Sequence, residues 1–307
     1  MTIVNANSIP RQPGVSELNQ SYSAQAWRRF KKNKLALFGM AFILILIAVS
    51  IAAPLIAPHD PYKSISNEAG GLDIYAAPSQ DFLLGTDSLG RDILSRIIYA
   101  GRISLSVGII SILISTSVGI FLGSLAGYFG KWVDAVIMRV VDVVYCFPVL
   151  FLIITVSTLL KPSIFNVMII IGLVSWTNTA RLVRGEILRV REYEFVQASR
   201  ALGARDSAII IQHIIPNILA PILVQATLQT AQAILTEASL SFLGVGVQQP
   251  IPSWGNMLYE AMSIMVLRFR PWVWAPPGLA ILLTVLSINF VGDGLRDALD
   301  PKLKGKG

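Results

Sequence analysis

The chain has 307 residues, of which 54% are hydrophobic and 14% are charged, and its net charge at pH 7 is +7. Soluble domains carry about a quarter charged residues, so this composition excludes an ordinary soluble protein and favours a membrane protein. The basic residues lie beside apolar runs rather than on a face interleaved with aromatic residues, which argues against nucleic-acid binding. The single cysteine, Cys146, excludes a disulfide framework within the chain.

Six segments have the length and polarity of transmembrane helices, which predicts an all-α polytopic membrane protein. In chain order, the sequence predicts a basic leader (1–34), a first span (35–57), a polar loop (58–102), a core with the other five spans (103–295) and a tail (296–307). The six predicted spans are Leu35–Ala57, Ile103–Gly127, Asp134–Leu160, Ser163–Arg181, Ile218–Leu243 and Val273–Val291.

The basic residues also predict the orientation. Of the 25 Lys and Arg residues, 18 fall on the side of the N-terminus and 7 on the other side. Positive residues concentrate on the cytoplasmic side of membrane proteins, so both termini and the segment 182–217 are expected in the cytoplasm and the loop 58–102 outside. The basic leader is also expected to contact lipid headgroups.

Two local features accompany the second span. In the loop before it, Asp87, Arg91 and Asp92 are expected to cap and stabilise a short surface helix, Ser88–Tyr99; contact with an external binding protein is the alternative. Within the span, a tandem GxxxG series allows close approach of another helix, either of this chain or of a second subunit. The three glycines are Gly119, Gly123 and Gly127.

The polar segment 182–217 has the pattern of two helices joined by a corner. Helix formers over Arg184–Leu202 predict the first helix, and Gly203 is placed to end it as the C′ residue. Asp206 is the expected N-cap of a second helix, Ser207–Ile215, before Pro216. The first helix has one small, mostly apolar face, which either packs on the bundle of this chain or lets a partner groove approach closely. Its members are Phe195, Ala198, Ser199 and Leu202, with Arg191, Glu194 and Arg200 near its edges.

The spacing within this segment resembles the "EAA" loop of ABC importer permeases. The family pattern is Glu-Ala-Ala, three residues, Gly, nine residues, Ile, one residue, Leu-Pro. Three positions match it: Ala198, Gly203 and Pro216. Four positions depart from it: Gln197 for Glu, Ser199 for Ala, His213 for Ile and Ile215 for Leu.

Other parts of the chain extend the resemblance to about residues 25–300. The basic leader with its first span and the runs Leu83–Leu105, Met138–Leu150 and Thr236–Leu258 are similar to the dipeptide and oligopeptide branch of these permeases. The chain most resembles the second, C-type permease subunit, which has a long outside loop after its first span. The resemblance implies the core of a type I ABC importer permease in a bacterial inner membrane.

The resemblance also implies partners and a docking site. It implies a second homologous permease subunit, two ABC ATPase subunits that bind ATP and Mg, an external substrate-binding protein and a peptide substrate, with nickel or another metal chelate as the alternative cargo. The segment 182–217 is then a coupling loop that docks on an ATPase. The residues it implies for docking are Glu194, Gln197, Ala198, Ser199, Arg200, Leu202, Gly203, His213 and Pro216.

No enzymatic motif competes with this interpretation. A Walker A loop requires GxxxxGK[ST], and the nearest look-alike, Gly130-Lys131, has Leu at position 125 and Trp at position 132. No nucleophile and base stand at the spacing of a motif such as GxSxG. The sequence therefore predicts a transport subunit that is not itself an enzyme and that binds no cofactor or metal.

The fifth predicted span carries a polar stripe within a helical arc of about 80°. Its side chains suit either a translocation path, where they would bond a peptide backbone or water, or hydrogen bonds between helices. The stripe comprises Gln225, Gln229, Gln232, Thr236 and Ser239. Two carboxylates, Asp142 and Glu237, also fall at membrane depth. They leave a proton-coupled secondary transporter as the second class of function.

Overall fold

The computed structural model describes residues 22–65, 71–160 and 163–299. The predicted leader (1–34) and tail (296–307) lie partly outside this range. Thirteen α-helices occur in the described residues, together with a π-helical turn at Ile209–Ile214 and a 3-10 turn at Tyr259–Met262. The α-helices are α1 (Tyr22–Phe30), α2 (Lys34–Ile51), α3 (Ala53–Ile56), α4 (Ile93–Phe129), α5 (Lys131–Tyr145), α6 (Val149–Leu159), α7 (Ile164–Val190), α8 (Glu194–Ala201), α9 (Asp206–Ala208), α10 (Ile215–Phe242), α11 (Trp254–Leu258), α12 (Ile264–Phe269) and α13 (Pro271–Leu299).

Five of these helical segments are long and apolar enough to cross a membrane: α2, α4, α7, α13 and the run Asp206–Phe242, which includes α10. The prediction of one continuous span over Asp134–Leu160 is wrong, because α5 and α6 meet there at an angle of 87°. Pro148 is the N-cap of α6 and follows Phe147. Proline disfavours a helical conformation in the residue before it and cannot donate a backbone hydrogen bond, which accounts for the break.

Helices α4 and α7 pack in parallel through the tandem glycines. A Cβ placed on Gly119 would lie 2.5 Å from the Cβ of Thr179, and one on Gly127 would lie 2.9 Å from the Cβ of Ile187. Gly172 of α7 makes the same kind of contact with Ile114 of α4, at 2.8 Å. The paired positions increase together along both helices, so both helices run in the same direction.

The parallel arrangement fixes the role of α5 and α6. Since α4 and α7 begin on the same side, the chain between them must return across the membrane. The bent pair provides that return, and the chain therefore crosses the membrane six times. Arg184 of α7 ties the start of α5 to this core through two bonds to the carboxylate of Asp134, at 2.5 and 2.6 Å.

Helices α10 and α13 complete the bundle in antiparallel contacts. Glu237 of α10 faces Ser104 of α4, and Ile234, earlier in α10, packs on Gly108, later in α4. On the other side of α13, Gly294 packs against Ala36 at the start of α2. These directions place α1, the end of α4, α8 and the end of α13 on one side of the membrane. The loop before α4 and the segment α11–α12 lie on the other side.

We predict that an alanine at Gly123 destabilises the bundle. Its Cβ would lie 2.6 Å from the carbonyl oxygen of Ala180 and 2.9 Å from the Cβ of Val183, and overpacking of this kind costs about 1–3 kcal/mol. Gly185→Ala is the matched control, because no atom lies within 4 Å of the added Cβ in helix α7. Thermal unfolding followed by circular dichroism should show a lower midpoint for Gly123→Ala and an unchanged or higher midpoint for Gly185→Ala. Equal midpoints would contradict the close packing of α4 on α7.

Candidate functional site

The segment between α7 and α10 forms a corner on the side of the membrane that α1 shares. The predicted single helix Arg184–Leu202 is wrong, because α7 ends at Val190 and α8 begins at Glu194 after a turn. The amide of Tyr193 bonds the carbonyl of Val190 at 3.0 Å across this turn, and Gln197 Nε2 donates to the carbonyl of Arg191 at 3.1 Å. The turn sets α8 apart from the long axis of α7.

Gly203 ends α8, as the sequence predicts. Its φ is +79°, a left-handed conformation that glycine adopts without steric cost. The amide of Ala204 donates to the carbonyl of Ser199 at 3.1 Å, and the amide of Gly203 donates to the carbonyl of Arg200 at 3.0 Å. This pair of bonds is a Schellman motif. The corner is therefore fixed by the backbone conformation that Gly203 permits.

One face of α8 anchors the helix and the other is exposed. Val196 is fully buried in an apolar cluster with Ile209 and Ile214. On the other face, Phe195 is 39% exposed and Leu202 is 88% exposed. Within the described part of the chain, Leu202 is almost uncovered, and Phe195 is partly covered by an edge contact with the ring of Tyr193. The remaining predicted docking residues of α8 are Glu194, Gln197, Ala198 and Arg200, which are exposed, and Ser199, which is half-buried.

The second half of the corner differs from the prediction. Asp206 is not an N-cap; its Oδ1 accepts a hydrogen bond from the hydroxyl of Tyr128 at 2.6 Å. The predicted separate helix Ser207–Ile215 is instead part of a continuous run that passes through the π-helical turn into α10. Pro216 follows this turn; it has no amide hydrogen and its ring clashes with the carbonyl four residues earlier in a regular α-helix. The wider turn accommodates the proline, with His213 half-buried in it.

The polar stripe of α10 is divided between a buried and an exposed part. Gln232 and Ser239 are exposed, Gln225 and Gln229 are partly buried, and Thr236 is buried. Gln229 Oε1 accepts a hydrogen bond from Thr179 of α7 at 3.1 Å, whereas its Nε2 is buried with no protein partner. The structure therefore assigns an interhelical contact to Gln229 and leaves the side chains of Gln232 and Ser239 accessible.

The two carboxylates at membrane depth lie in different surroundings. Glu237 is fully buried and accepts hydrogen bonds from Ser241 at 2.7 Å and Ser104 at 3.3 Å. Asp142 is exposed and pairs with Arg181 of α7 at 3.0 Å. Glu237 thus joins α10 to α4, whereas Asp142 joins α5 to α7.

The structure also contains a buried polar network on the opposite side of the membrane. Asp87 pairs with Arg91 at 2.7 Å and with Arg96 at 3.4 Å. Both arginines donate to the side-chain oxygen of Gln249, at 2.8 and 3.3 Å. The predicted helix Ser88–Tyr99 is wrong, because α4 begins only at Ile93; Asp92 is its N-cap.

Glu260 extends this network to the segment after α11. Its carboxylate accepts hydrogen bonds from the hydroxyl and the amide of Ser88, at 2.7 and 3.2 Å. Burial raises the pKa of Glu260 above its ordinary value. Sequence reasoning missed Gln249 and Glu260, because they lie more than 150 residues from their partners and no local pattern marks them.

Comparison with known proteins places these features in a family. A family model described as a binding-protein-dependent transport system inner membrane component matches residues 119–305. A second model, the N-terminal TM domain of oligopeptide transport permease C, matches residues 21–78.

Relatives and solved structures agree with these models. The dipeptide transport system permease protein of Alkalihalophilus pseudofirmus is 42% identical over 280 residues, which cover 91% of this chain and 90% of the relative. The glutathione transport system permease protein of Pectobacterium atrosepticum is 43% identical over 278 residues, which cover 91% of this chain and 90% of the relative. An inward facing conformation of the MetNI methionine ABC transporter shares the fold, with a TM-score of 0.57 and 16% identity over 68% of this chain and 98% of that chain. The chain therefore belongs to the family of binding-protein-dependent transport system inner membrane components, the permease subunits of ABC importers.

Proposed function

We propose that this permease forms half of a translocation path for di- and oligopeptides and couples that path to separate ATPase subunits. A second homologous permease forms the other half, and an external binding protein delivers the substrate. The peptide assignment is supported by relatives that are named as dipeptide and glutathione permeases and that match about nine-tenths of the chain. The importer is expected to contain two ATPases, which bind ATP and Mg.

The exposed face of α8 is the observation that supports ATPase docking. It places large apolar side chains, Phe195 and Leu202, on a polar corner outside the membrane, where contact with water is unfavourable unless a partner covers them. The exposed Ala198 between them allows a partner surface to approach the helix closely. Val196 and the Schellman motif at Gly203 hold this face in place.

The orientation follows from the same corner. An ATPase has access to ATP only in the cytoplasm, so α8 and the structural elements that share its side of the membrane are cytoplasmic in this proposal. These include α1 and the end of α13, next to the two termini. The excess of basic residues on this side supports the same orientation.

The accessible part of the polar stripe supports a path along α10. Gln232 and Ser239 offer hydrogen-bonding groups on an exposed surface at membrane depth, where a lipid-facing glutamine would be costly. Facing a second permease across a water-filled path removes that cost.

A proton-coupled transporter receives less support from the geometry. Asp142 is paired with a cation, and Glu237 is enclosed by hydroxyl donors between α4 and α10. These contacts fit structural roles on separate helix pairs.

We predict that Leu202→Asp releases the ATPases. The substitution places a charge in the apolar face, and loss of a central interface side chain lowers affinity about tenfold or more. Affinity purification of the tagged permease from its native membrane should recover the second permease but far less ATPase. Leu83→Asp is the matched control, since Leu83 is 60% exposed on the opposite side of the membrane. Full ATPase recovery with Leu202→Asp would contradict docking through α8.

A second prediction concerns the corner itself. Gly203→Val should weaken ATPase recovery, because a left-handed conformation costs a residue with a Cβ about 1–2 kcal/mol. Gly203→Asn should retain it, because asparagine tolerates this conformation. No atom lies within 4 Å of an added Cβ at Gly203, so the pair isolates backbone conformation from packing. Equal recovery with both variants would show that the Schellman corner does not matter for docking.

For the path, we predict that Gln232→Ala lowers uptake of radiolabelled alanyl-alanine or glutathione about two- to tenfold, because a hydrogen-bonding group is lost. Thr227→Ala is the control on the same helix, since its hydroxyl bonds the carbonyl of Leu223. Unchanged uptake in Gln232→Ala would remove Gln232 from the path.

The same uptake assay tests the cargo, with nickel ions, in the presence and absence of free histidine, as the alternative substrate. Nickel uptake without dipeptide or glutathione uptake would overturn the peptide assignment.

A further inference from the structure

Tyr128, in the last turn of α4, contacts both ends of the corner that follows α8. The side chain is 7% exposed. The guanidinium of Arg200, near the end of α8, lies 5.2 Å from the centre of its ring. Its hydroxyl donates to Asp206 Oδ1, just beyond the corner, at 2.6 Å. Tyrosine is the residue type that offers a cation its aromatic face and a carboxylate its hydroxyl at the same time.

A second contact joins the same two parts of the molecule. Arg191, in the turn before α8, donates from Nη1 to the carbonyl of Gly127 at 2.9 Å. A cation at this end of a helix is favoured by the helix dipole. The last turn of α4 is therefore held by side chains on both sides of α8.

These contacts differ in kind from the apolar anchor of α8. The cluster around Val196 excludes water and anchors α8 through apolar contacts, which are non-directional. A hydrogen bond and a cation–π contact depend on angle and distance. The contacts of Tyr128 therefore fix the orientation of the corner relative to α4.

Helix α4 extends from this contact to the opposite side of the membrane. It has 37 residues without an interruption, a length of about 55 Å. Near its other end, Arg96 joins the buried network with Gln249, and Ser104 bonds both Glu237 and the amide of Trp254. One continuous helix therefore joins the contact at Tyr128 to contacts at the outer ends of α4 and α10.

We propose that Tyr128 is the positioning residue that passes a displacement of α8 to α4, and so links ATPase closure to the outer part of the path. This inference rests on the proposed function, in which an ATPase docks on α8. It goes further by naming the side chain through which the docked helix acts on the bundle.

The test uses the full complex of permeases and ATPases in lipid nanodiscs. Cys146→Ser removes the single cysteine of this chain, and Leu235→Cys introduces a reporter beside the proposed path, at an exposed position of α10. The rate of maleimide labelling of this chain is measured by mass spectrometry without nucleotide and after trapping with ATP and vanadate.

Three variants alter the contact between Tyr128 and Asp206. Tyr128→Phe removes only the hydroxyl, Asp206→Ala removes its acceptor and Asp206→Asn keeps an acceptor oxygen. Tyr62→Phe, on the opposite side of the membrane, is the control for loss of a tyrosine hydroxyl.

We expect trapping to change the labelling rate at least about fivefold in the reporter background, in Tyr62→Phe and in Asp206→Asn. In Tyr128→Phe and Asp206→Ala the change should fall below about twofold, while the ATPases still copurify. A residue needed only for folding would instead reduce insertion or ATPase recovery.

Three results would overturn the inference. A full nucleotide-dependent change in Tyr128→Phe would show that its hydroxyl passes no displacement. Loss of the ATPases in Tyr128→Phe would assign the hydroxyl to assembly alone. A reporter background that recovers no ATPase, or that shows no change on trapping, would count against the proposed function itself and remove the basis of the inference.

Discussion

The fold of this permease depends on the parallel contact between α4 and α7. Glycines at successive turns of α4 bring the two backbones close, and dispersion contacts at this distance stabilise helix packing where the hydrophobic effect cannot, inside a membrane. The same contact decides the topology. Because both helices run in one direction, α5 and α6 must cross the membrane between them, although the pair is bent by 87°.

The functional geometry is arranged along the same helix. At one end of α4, Tyr128 and Gly127 hold the corner that presents α8. At the other end, Arg96 and Ser104 contact the segments that follow α10. An importer must connect ATP hydrolysis on one side of the membrane with substrate entry on the other, and α4 is one continuous helix between these two sets of contacts.

Sequence reasoning succeeded where the cause is local. The spans follow from runs of apolar residues, and the end of α8 follows from the left-handed conformation that Gly203 permits. The break at Pro148 had a local cause too, but average hydropathy over a span does not register it. The contacts of Tyr128 with Asp206 and of Arg96 with Gln249 join residues 78 and 153 positions apart. Such pairs depend on helix packing, which one sequence does not specify.

Site-specific photo-crosslinking is a direct test of whether α8 docks on an ATPase. A benzophenone amino acid replaces Leu202 in one variant and Leu83 in another, and both are irradiated in the native membrane. If α8 docks on an ATPase, position 202 captures a protein with a Walker A motif and position 83 does not. Capture of only lipid or of the permease itself from position 202, in a membrane where substrate uptake continues, would contradict this docking.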